Sequence, residues 1–456
     1  MRSGLLIRCV AGNVVPLFEG GSGEMKIALI ILITILPAVC TAETRLLTLD
    51  QAIAIAMDNN RDIEKAREYA HYVQGKYVEE RAAALPQLQL NGTVLVSKDE
   101  SQIISGYVAQ RQFGRTIDLT ISQPLYTWGK LNAAIRAAEV GLKTADEQLR
   151  LYRQAAYRDV VAAYLDVQLA RELSLLAVEN RAQKQRHLDE ATRKFNAGVA
   201  TEYDVLAAEV AAENTQPEVI RSGNGIRMAR ERLRFLLASG AQDVDVVGTL
   251  EPPAAASPLP AGYDEAMQIA GKRRPELKDL RLRIGIYGEL VTIAKADNKP
   301  RLDLKGGAGW HWASLDDPGP ARDANGAAWN AGIYLSFPFF DGFRTSGRVT
   351  QARSDLRTKQ IEEAKLIDSI SLEVRQAEYS YREATEILKA LSGTVKQAER
   401  LLQMAEKGYE LGVKIRLEVE DAQVNLLQAR SNLVRAERDT RVALVNYLWS
   451  MGVVGE

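Results

Sequence analysis

The sequence predicts an α+β membrane protein made by tandem duplication of one unit, in which a β-hairpin is carried on a long helical hairpin. Three observations predict it. Landmarks recur at a constant offset: Gly412 follows Gly198 by 214 residues (412 − 198), and Asp50 and Asp264, Pro86 and Pro300, and Pro124 and Pro338 keep that spacing. Helical heptads run far beyond the length of a globular-domain helix. Between them, apolar residues alternate at period two over about 9–11 residues, the length a tilted strand needs to cross a bilayer.

Composition bounds the rest. Among 456 residues, 46% are hydrophobic, only 6% are aromatic and the formal net charge is −1. Nucleic-acid binding would show as a basic excess, so no nucleic-acid partner is expected. Few aromatics with abundant Ala, Leu, Glu, Arg and Gln suit long helices. From Met25 the chain reads Met-Lys, then an apolar run from Ile27 to Val39, then Cys40-Thr41-Ala42-Glu43. A basic start, a short apolar core and small residues at a cleavage site make a secretory leader, with the cut after Ala42. The run falls short of the roughly 20 residues of a membrane span. Residues 1–42 are therefore read as signal peptide, and residues 1–24 as a start codon placed too early. Cys9 and Cys40 both precede the cut, so the mature chain would have neither disulfides nor thiolate metal sites. Lipidation at Cys40 is the alternative, disfavoured because Val39 precedes it where such processing prefers a smaller residue.

The first repeat spans residues 43–238 and the second 262–456, with an inter-repeat segment at 239–261. Each repeat opens on a short helix with an N-cap expected at Asp50 or Asp264, whose carboxylates can accept from first-turn amides. A second helix follows to about Ala84 or Asn298, ended by Pro86 or Pro300. Strands are expected at about 87–96 and 115–123, then at about 301–312 and 328–337. Leu88, Leu90, Val94 and Val96 alternate with Gln89, Asn91 and Thr93, and Ile117, Leu119 and Ile121 with Asp118, Thr120 and Ser122. Leu302, Leu304, Trp310 and Trp312 alternate with Asp303, Lys305 and His311, and Trp329, Ile333 and Leu335 with Asn330, Tyr334 and Ser336. Loops at 97–113 and 314–327 join the strands. Trp310, Trp312 and Trp329 cluster as an interfacial aromatic belt would. Four strands cannot close a barrel of eight or more, so a membrane reading demands oligomerisation.

Strand gives way to helix at corners marked by Pro124 and Pro338, each followed by glycine and a basic residue. Helices 130–196 and 344–410 would each be roughly 100 Å long at 1.5 Å per residue. Ala138, Leu142, Ala145, Leu149, Tyr152 and Ala156 form a heptad seam on the first. Glycine turns at Gly198 and Gly412 reverse the chain into return helices 201–237 and 415–451. Pro217, Gly223 and Gly225 stand in the first return helix where the second has Ser431, Glu437 and Asp439. An internal proline costs about 3 kcal/mol and a glycine about 1 kcal/mol, so a kink or short break is expected near 216–225 in copy one only. The inter-repeat segment, with Pro252, Pro253, Pro258 and Pro260, reads as a belt against the helices.

Over about residues 47–452 this order of elements, with its two corners and two tip turns, resembles the TolC-type outer-membrane factors, the outer membrane efflux protein family. The resemblance implies a homotrimer whose three chains close a 12-stranded transmembrane β-barrel continued by a periplasmic α-helical barrel. It implies an outer-membrane exit duct of a Gram-negative bacterium, with a large periplasmic portion. Such a duct serves tripartite efflux or type I secretion and docks with a periplasmic adaptor (membrane fusion) protein and an inner-membrane pump of RND or ABC type. It implies no catalytic residue and no cofactor. Glu418 and Asp421 match the acidic residues that narrow the periplasmic entrance, with Glu where the family's best-known pattern has Asp. Rings of like charge select cations and raise neighbouring pKa values. Tyr409 and Lys414 match residues that hold the closed tip through bonds to the neighbouring return helix, where Asp204 matches the acceptor. Gly198, Val199, Ala200, Gly412 and Val413 match the adaptor-contact turns. The bland alternative is that these charges are solvated helix faces.

An enzyme finds no support in the residues. His71, His187 and His311 are far apart in sequence without partners at ligand spacing, and no Walker loop, nucleotide fingerprint or nucleophile elbow occurs. Gly271-Lys-Arg-Arg-Pro-Glu276 is a basic cluster at a helix end. A soluble periplasmic coiled-coil scaffold or adaptor would explain the heptads but not strands of bilayer length. Drugs, metal ions and polypeptides all remain open as cargo.

Overall fold

A computed structural model describes residues 45–98, 111–240, 243–248, 259–260, 262–315 and 324–455. The leader, Cys40, most of both strand-connecting loops and residues 249–258 lie outside the described residues. Among the described residues no helix is long and apolar enough to cross a membrane.

A three-residue strand, β1 (Arg45–Leu47), precedes α1 (Leu49–Asn59) and α2 (Arg61–Ala82). The cap of α1 is Thr48 and not Asp50: the Thr48 hydroxyl accepts from the Gln51 amide at 3.3 Å, and Gln51 Oε1 accepts from the Thr48 amide at 3.1 Å. This reciprocal box satisfies two backbone donors, leaving Asp50 inside the first turn where its charge suits the helix dipole. Asp264 is likewise one place inside α6 (Tyr263–Arg273), behind Gly262. Asn60 caps α2 and also donates to the Leu236 carbonyl at 3.1 Å, which ties it to a distant helix. Pro275 opens α7 (Pro275–Ala296), where its missing N–H costs nothing.

Four antiparallel strands form one sheet in the order β2 (Gln87–Lys98), β3 (Arg111–Tyr126), β5 (Arg301–Leu315), β6 (Ala324–Ser336). They run 12, 16, 15 and 13 residues, longer than the alternation alone marks. Ile117 faces Trp310 and Leu119 faces Ala308, while Asp118 faces Gly309 and Thr120 faces Gly307. One side of the sheet is therefore apolar and the other polar. Pro124 lies within β3, at a shift in register, and the corner falls four and five residues later at Trp128 (φ 52°) and Gly129 (φ 80°). A residue without an N–H is tolerated where the ladder is already irregular. At the second corner Pro338 does follow the strand, and Gly342 and Phe343 both have φ 65°.

From the corners spring α3 (Lys130–Asn196) and α8 (Arg344–Glu410), 67 residues each. In the α3 seam Ala145 and Ala156 are buried, Ala138, Leu142 and Leu149 half-buried, and Tyr152 exposed. The second return helix, α9 (Arg416–Ser450), is continuous, whereas the first is split into α4 (Glu202–Glu213) and α5 (Gln216–Leu237). The break at Asn214 and Thr215 lies just ahead of the expected window. Pro217 explains it, because its ring crowds the Glu213 carbonyl four residues back, while in the first turn of a new helix it is harmless. Gly223 and Gly225 leave α5 uninterrupted.

One core gathers Leu47, Ala56, Val160, Val167, Leu233 and Leu237 with Val244 and Val246 of β4 (Val244–Val246). The β1–β4 pair is parallel and carries no recognisable sequence signal. Tyr164 donates to the Val247 carbonyl at 2.7 Å, and the buried Asp245 pairs with Arg171 and Arg230. The equivalent core of repeat two joins Ala270, Leu277, Ile370, Val374, Tyr447 and Met451, with Leu259 packed against it.

Candidate functional site: the helical tip

At the far end of α3 and α8 the chain must turn within four or five residues, and glycine makes that possible. Gly198 and Gly412 have φ 76° and 72°, the left-handed region that side chains resist. The following amides close each helix: Val199 N–H donates to the Lys194 carbonyl at 2.9 Å, and Val413 N–H to the Gly408 carbonyl at 2.8 Å. Val199 and Val413 are exposed at 74% and 80%, a pair of apolar knobs on the outermost surface, and Ala200 is half-buried.

Past the turns the copies diverge. Thr201 caps α4, and Asp204 Oδ2 accepts from its amide at 2.9 Å and its hydroxyl at 2.7 Å. Those two donors hold the Asp204 carboxyl below the usual carboxylate range. Its counterpart Ile415 has no acceptor to offer, so only half of that box survives: Glu418 Oε2 accepts from the Ile415 amide at 3.1 Å. Glu418 Oε1 instead takes Lys414 Nζ at 2.6 Å, and chiefly that bond keeps the carboxyl below its usual range. Lys414 reaches it by folding over Gly408, where a Cβ would stand 2.8 Å from Lys414 Cδ. In copy one the positions of Gly408 and Lys414 are held by Lys194 and Ala200, so the lysine has changed places.

That exchange decides what Tyr409 touches. Lys194 Nζ donates to the Tyr409 hydroxyl at 3.3 Å, lies 5.4 Å from the ring centroid, and is held by Glu190 at 2.7 Å. Within one chain, then, the expected trio is not brought together: Tyr409 bonds Lys194, Lys414 bonds Glu418, and Asp204 bonds Thr201. Glu418 and Asp421 are both exposed, three residues apart and so neighbours on the surface of α9. Two contributors escape sequence reasoning. Lys194 is visible only when the copies are laid over one another, and His187 meets Gln423 from α9, with 3.1 Å between their Nε2 atoms. Among the described residues no group of three or more His, Cys, Asp or Glu could hold a metal ion.

The sequence model of the outer membrane efflux proteins matches residues 52–239 and 266–452, one match for each repeat. The chain belongs to the outer membrane efflux protein family. It is 24% identical over 400 residues to outer membrane efflux protein BepC of Brucella suis, covering 87% of this chain and 83% of that one. It is 23% identical over 400 residues to outer membrane protein TolC of Escherichia coli, covering 84% and 77%. Alkaline protease secretion protein AprF of Pseudomonas aeruginosa is 24% identical over 344 residues, with 74% and 69% covered. Among solved structures, CusC superposes with a TM-score of 0.75 at 20% identity over 90% of this chain and 93% of that one. The CmeC channel of Campylobacter jejuni gives 0.77 at 16%, covering 89% and 85%. The family is one of passive outer-membrane channels with a periplasmic helical portion, not of enzymes, which sets the soluble scaffold or adaptor aside. As a member of this family, the efflux channel has its tip at the end of its periplasmic helices, roughly 100 Å from the corners at 1.5 Å per residue. At the opposite end Trp310 and Trp312 lie on the apolar face of the sheet, and Phe339, Phe340 and Phe343 stand exposed at the corner. Aromatic rings at both levels suit a membrane–water boundary.

Proposed function

We propose that three copies of this chain close into a twelve-stranded barrel and a continuous helical tube, three times the four strands of one chain. The assembly is a passive exit duct for tripartite efflux or type I secretion. The observation that carries this reading is that β2 and β6, the edges of a sheet with one apolar face, each have no outer partner strand among the described residues. A lipid-facing sheet cannot leave backbone groups unpaired, and β6 of one copy against β2 of the next satisfies them by closure. The helices support the same ring. Near the turns Tyr203, Leu206 and Val210 on α4, and Leu401 and Met404 on α8, are exposed apolar side chains on the two helices that flank α3 and α9. A head-to-tail contact between those faces closes a ring.

In this assembly Glu418 and Asp421 form two rings of carboxylates at the periplasmic mouth. Tyr409, Lys414 and Asp204 hold the closed tip, with Lys194 as the in-chain donor to Tyr409. Gly198, Val199, Ala200, Gly412 and Val413 meet a periplasmic adaptor, which links the duct to an inner-membrane pump of RND or ABC type. The domain limits follow: a leader at 1–42, repeats at 43–238 and 262–456, and an equatorial segment at 239–261 between them. Reconstitution into planar bilayers tests the reading. Cation-selective channels are expected, and Glu418→Gln with Asp421→Asn should weaken that selectivity. Unchanged selectivity removes the ring assignment, and recovery of the protein in a carbonate-soluble fraction removes the channel.

A further inference from the structure

Three helices meet just above the turns and leave a groove of about 750 Å3 between α3, the end of α8 and the start of α9. His187 lines it from α3 and Gln423 from α9. Gln423 Nε2 lies 3.1 Å from His187 Nε2, while Gln423 is 7% exposed and its Oε1 has no hydrogen-bond partner. An amide donating to that ring nitrogen needs its lone pair, so the contact as placed belongs to the neutral imidazole. Turning the amide over would offer Oε1 to a charged ring, but would move the two amide donors into the buried, unpartnered place. Lys184 and Glu190 of α3 and Arg416 and Glu420 of α9 act on the ring, Arg186 and Lys194 of α3 line the same groove, and Glu406, Tyr409 and Glu410 of α8 stand across it. The two carboxylates that act on the ring are already engaged, Glu190 with Lys194 at 2.7 Å and Glu420 with Arg416 at 3.0 Å.

We propose that His187 is an acid-responsive latch of the tip: a proton on its imidazole breaks the contact with Gln423 and releases α3 from the α8–α9 hairpin. The gating role rests on the proposed reading of the tip as the channel's constriction. Thermodynamics sets the direction. Burial pushes the His187 imidazole below its ordinary value near 6.5, Arg416 and Lys184 push it further, and Glu190 and Glu420 oppose them. Parted helices return the ring to water and to that ordinary value. The parted state binds the proton more readily, so falling pH shifts the population toward it, in a window that starts near 6.5 and extends below. Lys194 carries the change to α8, because a charged ring competes for Glu190, which together with Tyr409 holds the Lys194 ammonium. The pair is not repeated by the duplication, since the matching positions in the other copy are Leu401 and Glu209.

Residues 43–456 contain no cysteine, so Asp189→Cys on α3 and Val424→Cys on α9 can carry spin labels in the assembled channel. Label distances are read at about pH 7.5 and about pH 5, a span that brackets histidine titration. The expected result is a longer-distance population at acid pH, absent in His187→Gln and present at both pH values in His187→Arg. Gln423→Leu removes the amide that stabilises the neutral ring and should move the transition midpoint up by about half to one pH unit. A shift that persists in His187→Gln, an unmoved midpoint in Gln423→Leu, or no shift in the unsubstituted channel overturns the latch. Conductance over the same window separates the two ideas. Distances that respond through His187 while conductance stays constant support the latch and overturn the tip as the constriction.

Discussion

The first tip, around Gly198, and the second, around Gly412, share a backbone to within a few degrees of φ and tenths of an ångström in their closing hydrogen bonds. Their side chains have gone separate ways. Copy one is closed on itself by Thr201 and Asp204, with its lysine at position 194 turned toward α8. Copy two has Ile415 in place of the capping Thr201 and Glu418 in place of Asp204, and carries Lys414 and Asp421 where copy one has alanines, with Gly408 making room for the lysine. The return helices differ in the same sense: α4 and α5 are broken ahead of Pro217, whereas α9 runs 35 residues without interruption. The difference teaches that a left-handed glycine fixes a turn whatever surrounds it, which leaves flanking charges free to diverge into distinct tasks.

The sharpest way to break this comparison is to move the proline. Ser431 occupies the place of Pro217, but in the interior of α9, and Ser431→Pro should destabilise the protein by about 3 kcal/mol or more. Pro217→Ala should change stability far less, because α5 already begins there. Thermal unfolding of both variants tests the asymmetry, and equal losses would mean that the break has another cause.

The turns should respond alike. Neither Gly198 nor Gly412 has a neighbour within 4 Å of an added Cβ, so the penalty of a side chain there is conformational alone. Gly198→Val and Gly412→Val should each cost about 1–2 kcal/mol in denaturant titrations. A clear inequality would show that one tip bears strain the other lacks.

The smallest effect concerns pH. Asp204 and Glu418 both have depressed carboxyl pKa values, so each steadies its tip above its unfolded-state pKa, and that support is lost as pH falls through the lowered folded value. Their causes differ. Asp204 depends on a hydroxyl and an amide, whereas Glu418 depends first on the Lys414 ammonium. Carboxyl-carbon NMR titration should find Glu418 moving up toward its ordinary value in high salt or in Lys414→Ala, with Asp204 nearly still. Matching movements would remove the distinction between an ion pair and a cap.

Much of this protein is written in nearest-neighbour chemistry. The heptads of α3, the strand alternation and the glycine turns are local patterns, legible because each acts over a few residues, and the 214-residue offset (412 − 198) is legible because those local patterns occur twice. The break in copy one was legible for the same reason, since Pro217 acts within one helical turn. Asp50 misled because a cap is a competition among adjacent groups, which Thr48 and Gln51 won together. Pro124 misled because the ladder of β3 continues past it through a shift in register. The rest was decided only by packing. Residues as short as β1 and β4 pair because helices α1, α3 and α5 bury them. Lys194 and Tyr409 lie 215 residues apart in sequence, and His187 and Gln423 lie 236 apart. Sequence alone determined that there are two tips and where each one turns. Which side chains meet there depends on how α3 lies against the α8–α9 hairpin, and that arrangement is the summed result of contacts along the whole length of the long helices.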